Sequence, residues 1–191
     1  QSGHIRGFNN LFSNCGQACG YFALGGKIEM HLSTFANYAS TGSGLRQFPT
    51  LYVNDWYEAA DNSIQWRPFH PDSEFRNCIA FGNNANLTDF SEVILDLWDA
   101  EIYVDPLFRA SAIHHQEKNF PAWMIDAQTT VNELPPFVNP ALADFRIEGT
   151  ASQWTGIPST PEFSPLEVSV DLLGEPRNTL APTKGCYERV P

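Results

Sequence analysis

The predicted fold is decided by one phrase that recurs three times, as Phe12-Ser13-Asn14, Phe35-Ala36-Asn37 and Phe81-Gly82-Asn83. The first two phenylalanines are 23 residues apart, and the second and third are 46 apart, which is two periods of 23. A repeat of this length is a supersecondary unit that buries its apolar side by stacking on copies of itself. The alternative is a chance recurrence in a chain with 14 phenylalanines.

Each phrase ends an apolar, strand-like run, at residues 5–12, 28–35 and 75–81. We therefore predict a β-solenoid in which each copy supplies one coil and the three phenylalanines are buried in one stack. The asparagines should lie together at the next corner, because asparagine tolerates a positive φ and its amide can bond to neighbouring backbone.

Composition limits the classes of function. A chain of 191 residues with 42% hydrophobic and 17% charged residues can bury the core of one domain. The net charge of −11 argues against nucleic acid as a partner, because a phosphate backbone would repel it. No run of 18 apolar residues occurs, so the sequence predicts no membrane span.

The first strand-like segment of the repeat already includes His4-Ile5, and no capping element precedes it in the sequence. A bare first rung would expose strand edges and apolar interior to water. We therefore expect the first rung to be covered by upstream coils of the same polypeptide or by a partner protein.

Four cysteines, Cys15, Cys19, Cys78 and Cys186, are compatible with either redox compartment. Cys15 and Cys19 lie in a Gly-rich turn and could close a small loop in an oxidising setting. Zinc binding is disfavoured, because no second Cys or His pair follows at a zinc-finger spacing.

Residues 40–72 differ in composition from the repeated segments, and they are predicted to be one coil's strand plus a long loop insertion. The insertion carries Trp56, Tyr57, Trp66 and Arg67 among acidic residues. These side chains are of the types that stack on sugar rings and bond sugar hydroxyls, so we predict them as a binding site. The alternative is that the aromatic rings only hold the loop against the solenoid wall.

Four phrases near the end of the chain carry a family resemblance: PPFVNP at 135–140, ADFRI at 143–147, GEPR at 174–177 and GCYE at 185–188. They resemble, in the same order, the C-terminal part of bacterial secreted and surface proteins with the right-handed parallel β-helix, or pectin-lyase-like, fold. Cys186 departs from the family, which commonly has alanine there. None of these phrases is catalytic.

The resemblance implies an all-β, right-handed parallel β-helix of about four to five coils, extracellular or on a bacterial cell surface. Residues 1–108 would form the coils, with the insertion at 40–72, and residues 109–191 the C-terminal cap and tail. The implied function is a non-catalytic binding or structural module that docks on a partner protein or a glycan. The alternative is the terminal fragment of a polysaccharide lyase or hydrolase whose catalytic coils lie upstream.

Catalytic candidates are few. A lyase needs a basic side chain to remove a proton, and Arg76 is the best placed, although we expect a neighbouring carboxylate to pair with it. A hydrolase needs paired carboxylates, and Asp96, Asp99 and Asp105 match no motif. Calcium at these aspartates is the one cofactor left open, although they lack the D-x-D-x-D spacing of a dedicated calcium loop.

Overall fold

The computed structural model describes residues 3–38, 46–86, 90–116, 121–158 and 169–189. These residues form an all-β structure in which three parallel sheets, here called A, B and C, account for most of the strands. Residues 39–45, the start of the predicted insertion, lie outside the described ranges. No helix in the described ranges is long and apolar enough to cross a membrane.

In chain order the strands are β1 (His4–Phe8), β2 (Leu11–Ser13), β3 (Gly20–Ala23), β4 (Lys27–His31), β5 (Thr34–Asn37), β6 (Leu51–Asn54), β7 (Trp56–Glu58), β8 (Ile64–Trp66), β9 (Glu74–Arg76), β10 (Ile79–Gly82), β11 (Val93–Asp96), β12 (Phe108–Arg109), β13 (Ala112–Ile113), β14 (Thr130–Val131), β15 (Phe137–Asn139) and β16 (Asp144–Ile147). Short 3₁₀ helices lie at Asn83–Asn86, Ala100–Ile102, Ala122–Met124, Pro140–Leu142 and Ser152–Trp154.

Successive passes of the chain contribute one strand to each sheet in turn. Sheet A has the order β1-β4-β9-β12, sheet B the order β2-β5-β10-β13-β14, and sheet C the order β3-β6-β11. All neighbouring strands in these sheets are parallel. The chain thus adds each new pass beside the previous one, and the interior is enclosed by the three sheets.

The observed register corrects one member of the predicted phenylalanine stack. Phe12 pairs with Phe35 as the 23-residue period predicts, but Phe35 pairs with Ala80 and Phe81 pairs with Ala36. The interval between these passes is therefore 45 residues, not 46. Since alternate residues of a strand face opposite sides, this one-residue shift turns Phe81 to the outside of sheet B.

The same shift breaks the predicted asparagine corner. The partner of Asn37 in the next pass is Gly82, so Asn83 lies one residue beyond it. Asn14 does take a positive φ, of 53°, and its side-chain oxygen accepts from the Tyr38 N–H. Two other asparagines with positive φ, Asn9 and Asn77, serve a different corner.

That corner joins sheet A to sheet B. Asn9, Leu32, Asn77 and Ala110 follow successive sheet A strands, and all four have φ between 45° and 54°. A left-handed residue here reverses the chain tightly, and asparagine accepts this conformation more readily than other L-residues. The backbone N–H of Asn9, Leu32 and Asn77 each donates to the following pass, at 3.2, 2.9 and 2.9 Å.

The enclosed interior is apolar. Phe35 is 1% exposed, stacks on Phe12 at a centroid distance of 4.9 Å, and makes edge contacts with Phe22 and Phe75. Phe12 was predicted to be buried but is 37% exposed, because β1, β2 and β3 are the outermost strands of their sheets.

The outer face of sheet B carries a second apolar cluster. Phe81 and Ile79 pack there against Phe137, Phe145 and Trp154. Because the tail covers this face, Phe81 is fully buried although it lies outside the enclosed interior. From residue 108 onward, β12, β13 and β14 continue sheets A and B into the region where the sequence predicted the cap and tail.

The tail is also anchored on the corner asparagines. Asn77 exchanges side-chain hydrogen bonds with Ile157, at 2.7 and 2.9 Å. Asn9 donates to the Val170 carbonyl at 2.7 Å and accepts from the buried Arg177 guanidinium at 2.9 Å. The buried Lys184 ammonium donates to the Ser111 carbonyl, the Gln128 carbonyl and the Thr130 hydroxyl at 2.9–3.1 Å.

The interior stack yields a stability prediction. Replacing Phe35 with Ala should lower the free energy of unfolding by about 3–5 kcal/mol, because truncating a buried aromatic removes apolar contacts and leaves a cavity. Phe12→Ala is the matched control in the same column and should cost less than half as much, since its ring is already partly hydrated. Urea unfolding followed by circular dichroism measures both, and a larger loss for Phe12→Ala would contradict the stack.

Lys184 yields a prediction of pH dependence. Burial lowers the pKa of Lys184 from 10.5 to about 8. Between these values the unfolded chain binds more protons at this site than the folded chain does, so the Lys184 contribution to stability rises with pH in that window. The free energy of unfolding of the wild type should therefore rise relative to that of Lys184→Met between pH 8 and 10.5. Below pH 8 the difference between the two proteins should stay constant. A constant offset throughout this pH range would contradict the lowered pKa, and Lys27→Met serves as the control.

Candidate functional site on the outer face of sheet C

Two tyrosines form the centre of the outer face of sheet C. Tyr21 of β3 pairs in register with Tyr52 of β6, so both side chains leave the same side of the sheet. Their rings stack at a centroid distance of 5.2 Å and an interplanar angle of 7°. Tyr21 is 66% exposed, which leaves an aromatic surface open to solvent.

A depression of about 500 Å³ lies beside this stack. Its walls are formed by Gln17, Ala18, Tyr21, Phe48, Pro49 and Tyr52. The lining is mainly aromatic and apolar, with the Gln17 amide as a polar group. A concave site of this kind suits a ligand that has an apolar face and hydrogen-bonding edges.

Asp96 organises the polar part of the face. It follows Leu95 in β11, and one of its carboxylate oxygens accepts from the Tyr52 hydroxyl and, at 3.2 Å, from the Asn54 amide. The other oxygen accepts from the Trp56 indole N–H at 2.9 Å. The carboxylate thus fixes the rings of Tyr52 and Trp56.

Trp98 extends the aromatic surface beyond Trp56. The two indoles pack at a centroid distance of 5.7 Å, and Trp98 is 52% exposed. Its backbone N–H donates to the Asp55 carboxylate at 2.8 Å, so the exposed ring is held by a buried anchor. Tyr21, Phe48, Tyr52, Trp56 and Trp98 are together called the aromatic face.

Asp55 anchors the neighbouring hairpin formed by β7 and β8. It is fully buried and accepts from the Trp66 indole N–H at 3.0 Å and from the Tyr103 hydroxyl at 2.6 Å. Burial, with the hydrogen bond to Asp55, raises the pKa of Tyr103 above its ordinary value. The neutral tyrosine is therefore a lasting donor to this carboxylate.

The predicted site residues do not form one group. Trp56 and Trp66 are direct cross-strand partners in the hairpin, whereas Tyr57 pairs with Gln65 and so faces the opposite side. Trp56 joins the aromatic face, while Trp66 is 39% exposed and its indole N–H is bonded to Asp55. Arg67 is exposed, and its backbone N–H donates to the Asp55 carbonyl at 2.8 Å.

Sequence reasoning missed Tyr21, Phe48, Tyr52 and Trp98, and it considered Asp96 only as a hydrolase or calcium candidate. Tyr21 and Tyr52 are 31 residues apart, so they fall outside the 23-residue period that relates the same two passes elsewhere. Their shared local context, an aromatic residue one position before an inward-facing apolar residue, was the available signal. It is a weak one, because many strands have it.

A second candidate surface lies on the outer face of sheet A, where the charge of Glu74 is balanced by neighbouring basic side chains. Glu74 contacts His31 at 2.8 Å, Arg76 at 3.1 Å and Arg109 at 3.2 Å. Burial alone would raise the pKa of Glu74, but hydrogen bonds from His31 and Arg76 lower it to about 2. As expected from the sequence, Arg76 is paired with a carboxylate. The depression there has a volume of about 320 Å³.

The other carboxylate candidates have separate structural partners. Asp96 holds the rings described above, Asp99 accepts from the Glu101 N–H at 3.1 Å and caps a 3₁₀ helix, and Asp105 lies 3.9 Å from Arg109. No group of three or more His, Cys, Asp or Glu side chains that could hold a metal occurs in the described part of the chain. Calcium therefore gains no support from this geometry.

Comparisons with protein-family models, with curated proteins and with solved structures gave no match for this chain. The similarity of its closing phrases to those of β-helix surface proteins therefore stays a prediction. Functional inference depends on the residues of the aromatic face.

Proposed function

We propose that this protein is a non-catalytic module that binds neutral glycans on the aromatic face. The observation that carries the proposal is the pair of ring contacts, Tyr21 with Tyr52 and Trp56 with Trp98, joined by the Asp96 carboxylate and exposed at Tyr21 and Trp98. Sugar rings present C–H groups to aromatic surfaces and hydroxyls to polar side chains, so both parts of a sugar would find partners here.

The charge of the protein favours neutral over acidic glycans. The net charge is −11, and Asp96 lies within the face itself. A uronate chain would meet like charge at the site, which lowers both its rate of approach and its affinity. Neutral hexose or pentose polymers carry no such penalty.

The scaffold in this proposal is a right-handed parallel β-helix of four to five coils, in an extracellular or bacterial surface protein. Three complete passes and the strands β12, β13 and β14 of further passes support the coil number. Parallel strands joined by crossovers in one sheet are right-handed in about 98% of cases, which supports the hand. The closing phrases at 135–188 support the pectin-lyase-like family.

Glycan binding is tested with cellohexaose, xylohexaose, mannohexaose and polygalacturonate by isothermal titration calorimetry. We expect at least one neutral hexasaccharide to bind and polygalacturonate not to bind. Tyr21→Ala and Trp98→Ala should each weaken that binding about thirtyfold, equivalent to about 2 kcal/mol, the size of an interface anchor. Both rings are exposed, so the free energy of unfolding should change little.

Tyr57→Ala is the matched control, since Tyr57 is an exposed ring on the other side of the hairpin. Its affinity should equal that of the wild type. Failure of all three neutral hexasaccharides to bind, or an equal loss in Tyr57→Ala, would reject the aromatic face as the glycan site.

A second proposal concerns the open end of the interior. We propose that a further layer of parallel strands, from the same polypeptide or from a partner protein, covers β1, β2 and β3 in the functional assembly. The exposures of paired residues favour it. Ile5 is 51% exposed, whereas its strand partner Ile28 is 2% exposed. Likewise, Phe12 is far more exposed than its strand partner Phe35. Apolar interior and strand edges left in water favour added strands.

Hydrogen exchange on the isolated chain tests this second proposal. The amides of β1 and β2 should exchange about a hundredfold faster than those of β4 and β5, because outer strands open locally without global unfolding. Equal protection of β1 and β4 in a monomeric sample would show that the isolated edge is stable without cover, and would reject the proposal.

A further inference from the structure

A buried ion pair is bonded to both walls of the depression on the outer face of sheet C. The side chains of Arg46 and Glu92 are fully buried, and the Arg46 Nη2 atom lies 2.9 Å from each Glu92 carboxylate oxygen. The pair is not part of the lining that the described residues form around the depression. It would therefore act on a bound ligand only through the walls.

The first wall, formed by Phe48 and Pro49, is held at both ends. The Arg46 Nη1 atom donates to the Phe48 carbonyl at 2.8 Å. On the other side of Pro49, the N–H and the hydroxyl of Thr50 donate to the Glu92 carboxylate at 3.1 and 2.6 Å. Each member of the ion pair thus fixes one end of this wall.

The second wall, formed by Gln17 and Ala18, is reached through Asn37 of β5. The Arg46 Nη2 atom donates to the Asn37 backbone carbonyl at 2.8 Å, and the Asn37 side-chain amide donates to the Gln17 carbonyl at 2.6 Å. Asn37 is fully buried, so the link between the guanidinium and this wall is shielded from water.

Thr50 joins the two walls. Its carbonyl accepts from the two N–H groups that follow the second wall, those of Cys19 at 2.8 Å and Gly20 at 3.1 Å. Its own N–H and hydroxyl bind Glu92, as described above. The end of the second wall is therefore tied to the same carboxylate as the end of the first.

The third pass leaves room for the ion pair. Gly82 of β10 pairs with Asn37 of β5, and a Cβ atom at Gly82 would overlap both the Arg46 guanidinium and the Glu92 carboxylate. Glycine is required here by this close approach, since any side chain would displace the pair.

We propose that the Arg46–Glu92 ion pair positions the two walls of the depression for ligand binding. Its effect on affinity rests on the proposed glycan-binding function, whereas its hold on the walls does not. Both are positioning residues, because they act on a ligand through Phe48, Gln17 and their neighbours. Walls that are fixed before binding reduce the entropy that a ligand must offset.

A positioning role differs from mere charge balance in what a conservative variant restores. Removing one partner leaves a buried charge uncompensated, which destabilises the whole protein whatever the role of the pair. Arg46→Lys and Glu92→Asp keep both charges and change only the reach and shape of the polar groups. They should therefore fold, and they separate the two roles.

The first experiment measures hydrogen exchange on the full chain without a ligand. In Glu92→Asp the shorter carboxylate cannot reach Thr50 and the guanidinium together, so the amides of Cys19 and Thr50 should exchange about tenfold faster than in the wild type. The amides of Ile28 and Phe75, which are hydrogen-bonded in sheet A, should keep their wild-type rates. An equal acceleration of all four amides would show only a loss of global stability and would overturn the proposal.

Gly82→Ala tests the same point without altering either charged residue. Its methyl group displaces the pair, so the amides of Cys19 and Thr50 should again exchange about tenfold faster. Gly3→Ala is the matched control, because a Cβ atom at Gly3 meets open space. Wild-type exchange of these two amides in both Glu92→Asp and Gly82→Ala would overturn the proposal.

The second experiment measures affinity for the three neutral hexasaccharides by calorimetry. In Arg46→Lys a compact ammonium group replaces the guanidinium fork, so it cannot serve the carboxylate and both wall contacts at once. We expect the sugar that binds the wild type to bind this variant about fivefold more weakly. Wild-type affinity in Arg46→Lys and Glu92→Asp would show that the pair only balances charge, and would overturn its role in binding.

The two experiments fail separately. If none of the hexasaccharides binds the wild type, the glycan proposal fails, and the exchange rates of Cys19 and Thr50 alone decide whether the pair positions the walls. If a sugar binds while these rates are unchanged in the variants, the glycan proposal stands and the positioning role is overturned.

Discussion

The left-handed residue at the corner between sheets A and B is the constraint on which the other features of the structure depend. With a positive φ at Asn9, Leu32, Asn77 and Ala110, the chain turns from one sheet to the next within two residues. The amides of the first three bond to the following pass, so the turn also joins neighbouring passes. Where this residue is asparagine, its side chain additionally binds the tail. One backbone requirement thus explains the spacing of sheets A and B, the stacking of passes and the attachment of the tail at Ile157, Val170 and Arg177.

The aromatic face and the ion-paired surface of sheet A use carboxylates in opposite ways. Asp55 and Asp96 accept from neutral indole, hydroxyl and amide groups, so they orient rings without cancelling a cation. Glu74 instead forms ion pairs with His31, Arg76 and Arg109, so its charge is compensated by these neighbours. Preorganised rings reduce the entropy lost when a ligand binds, whereas a ligand at Glu74 would first have to displace established ion pairs. This difference is the physical reason for placing function on sheet C.

The sequence predicted the parts of the structure that obey a constant period. Phe12 and Phe35 share a column because the first two passes differ by 23 residues in sheets A and B. Phe81 was misplaced because the third interval is 45, and a one-residue error on a strand reverses the side chain. Tyr21 and Tyr52 were missed because the loop before β6 is longer than the loop before β3, which changes their spacing to 31. Loop lengths vary independently of strand pairing. A constant period therefore identifies paired residues only where the loops that precede them in the two passes have equal lengths.

The bonds between Asn9 and the tail have a consequence for the time course of folding. Asn9 contacts Val170 and Arg177, which lie 161 and 168 residues further along the chain. Contacts of such long sequence separation form late and slowly, because a large loop must close first. While a ribosome is still making the chain, the outer face of sheet B with Ile79 and Phe81 exists without its cover. A nascent chain would thus present this apolar strip until residues 137–154 have been made, which makes the strip a natural place for a chaperone to bind.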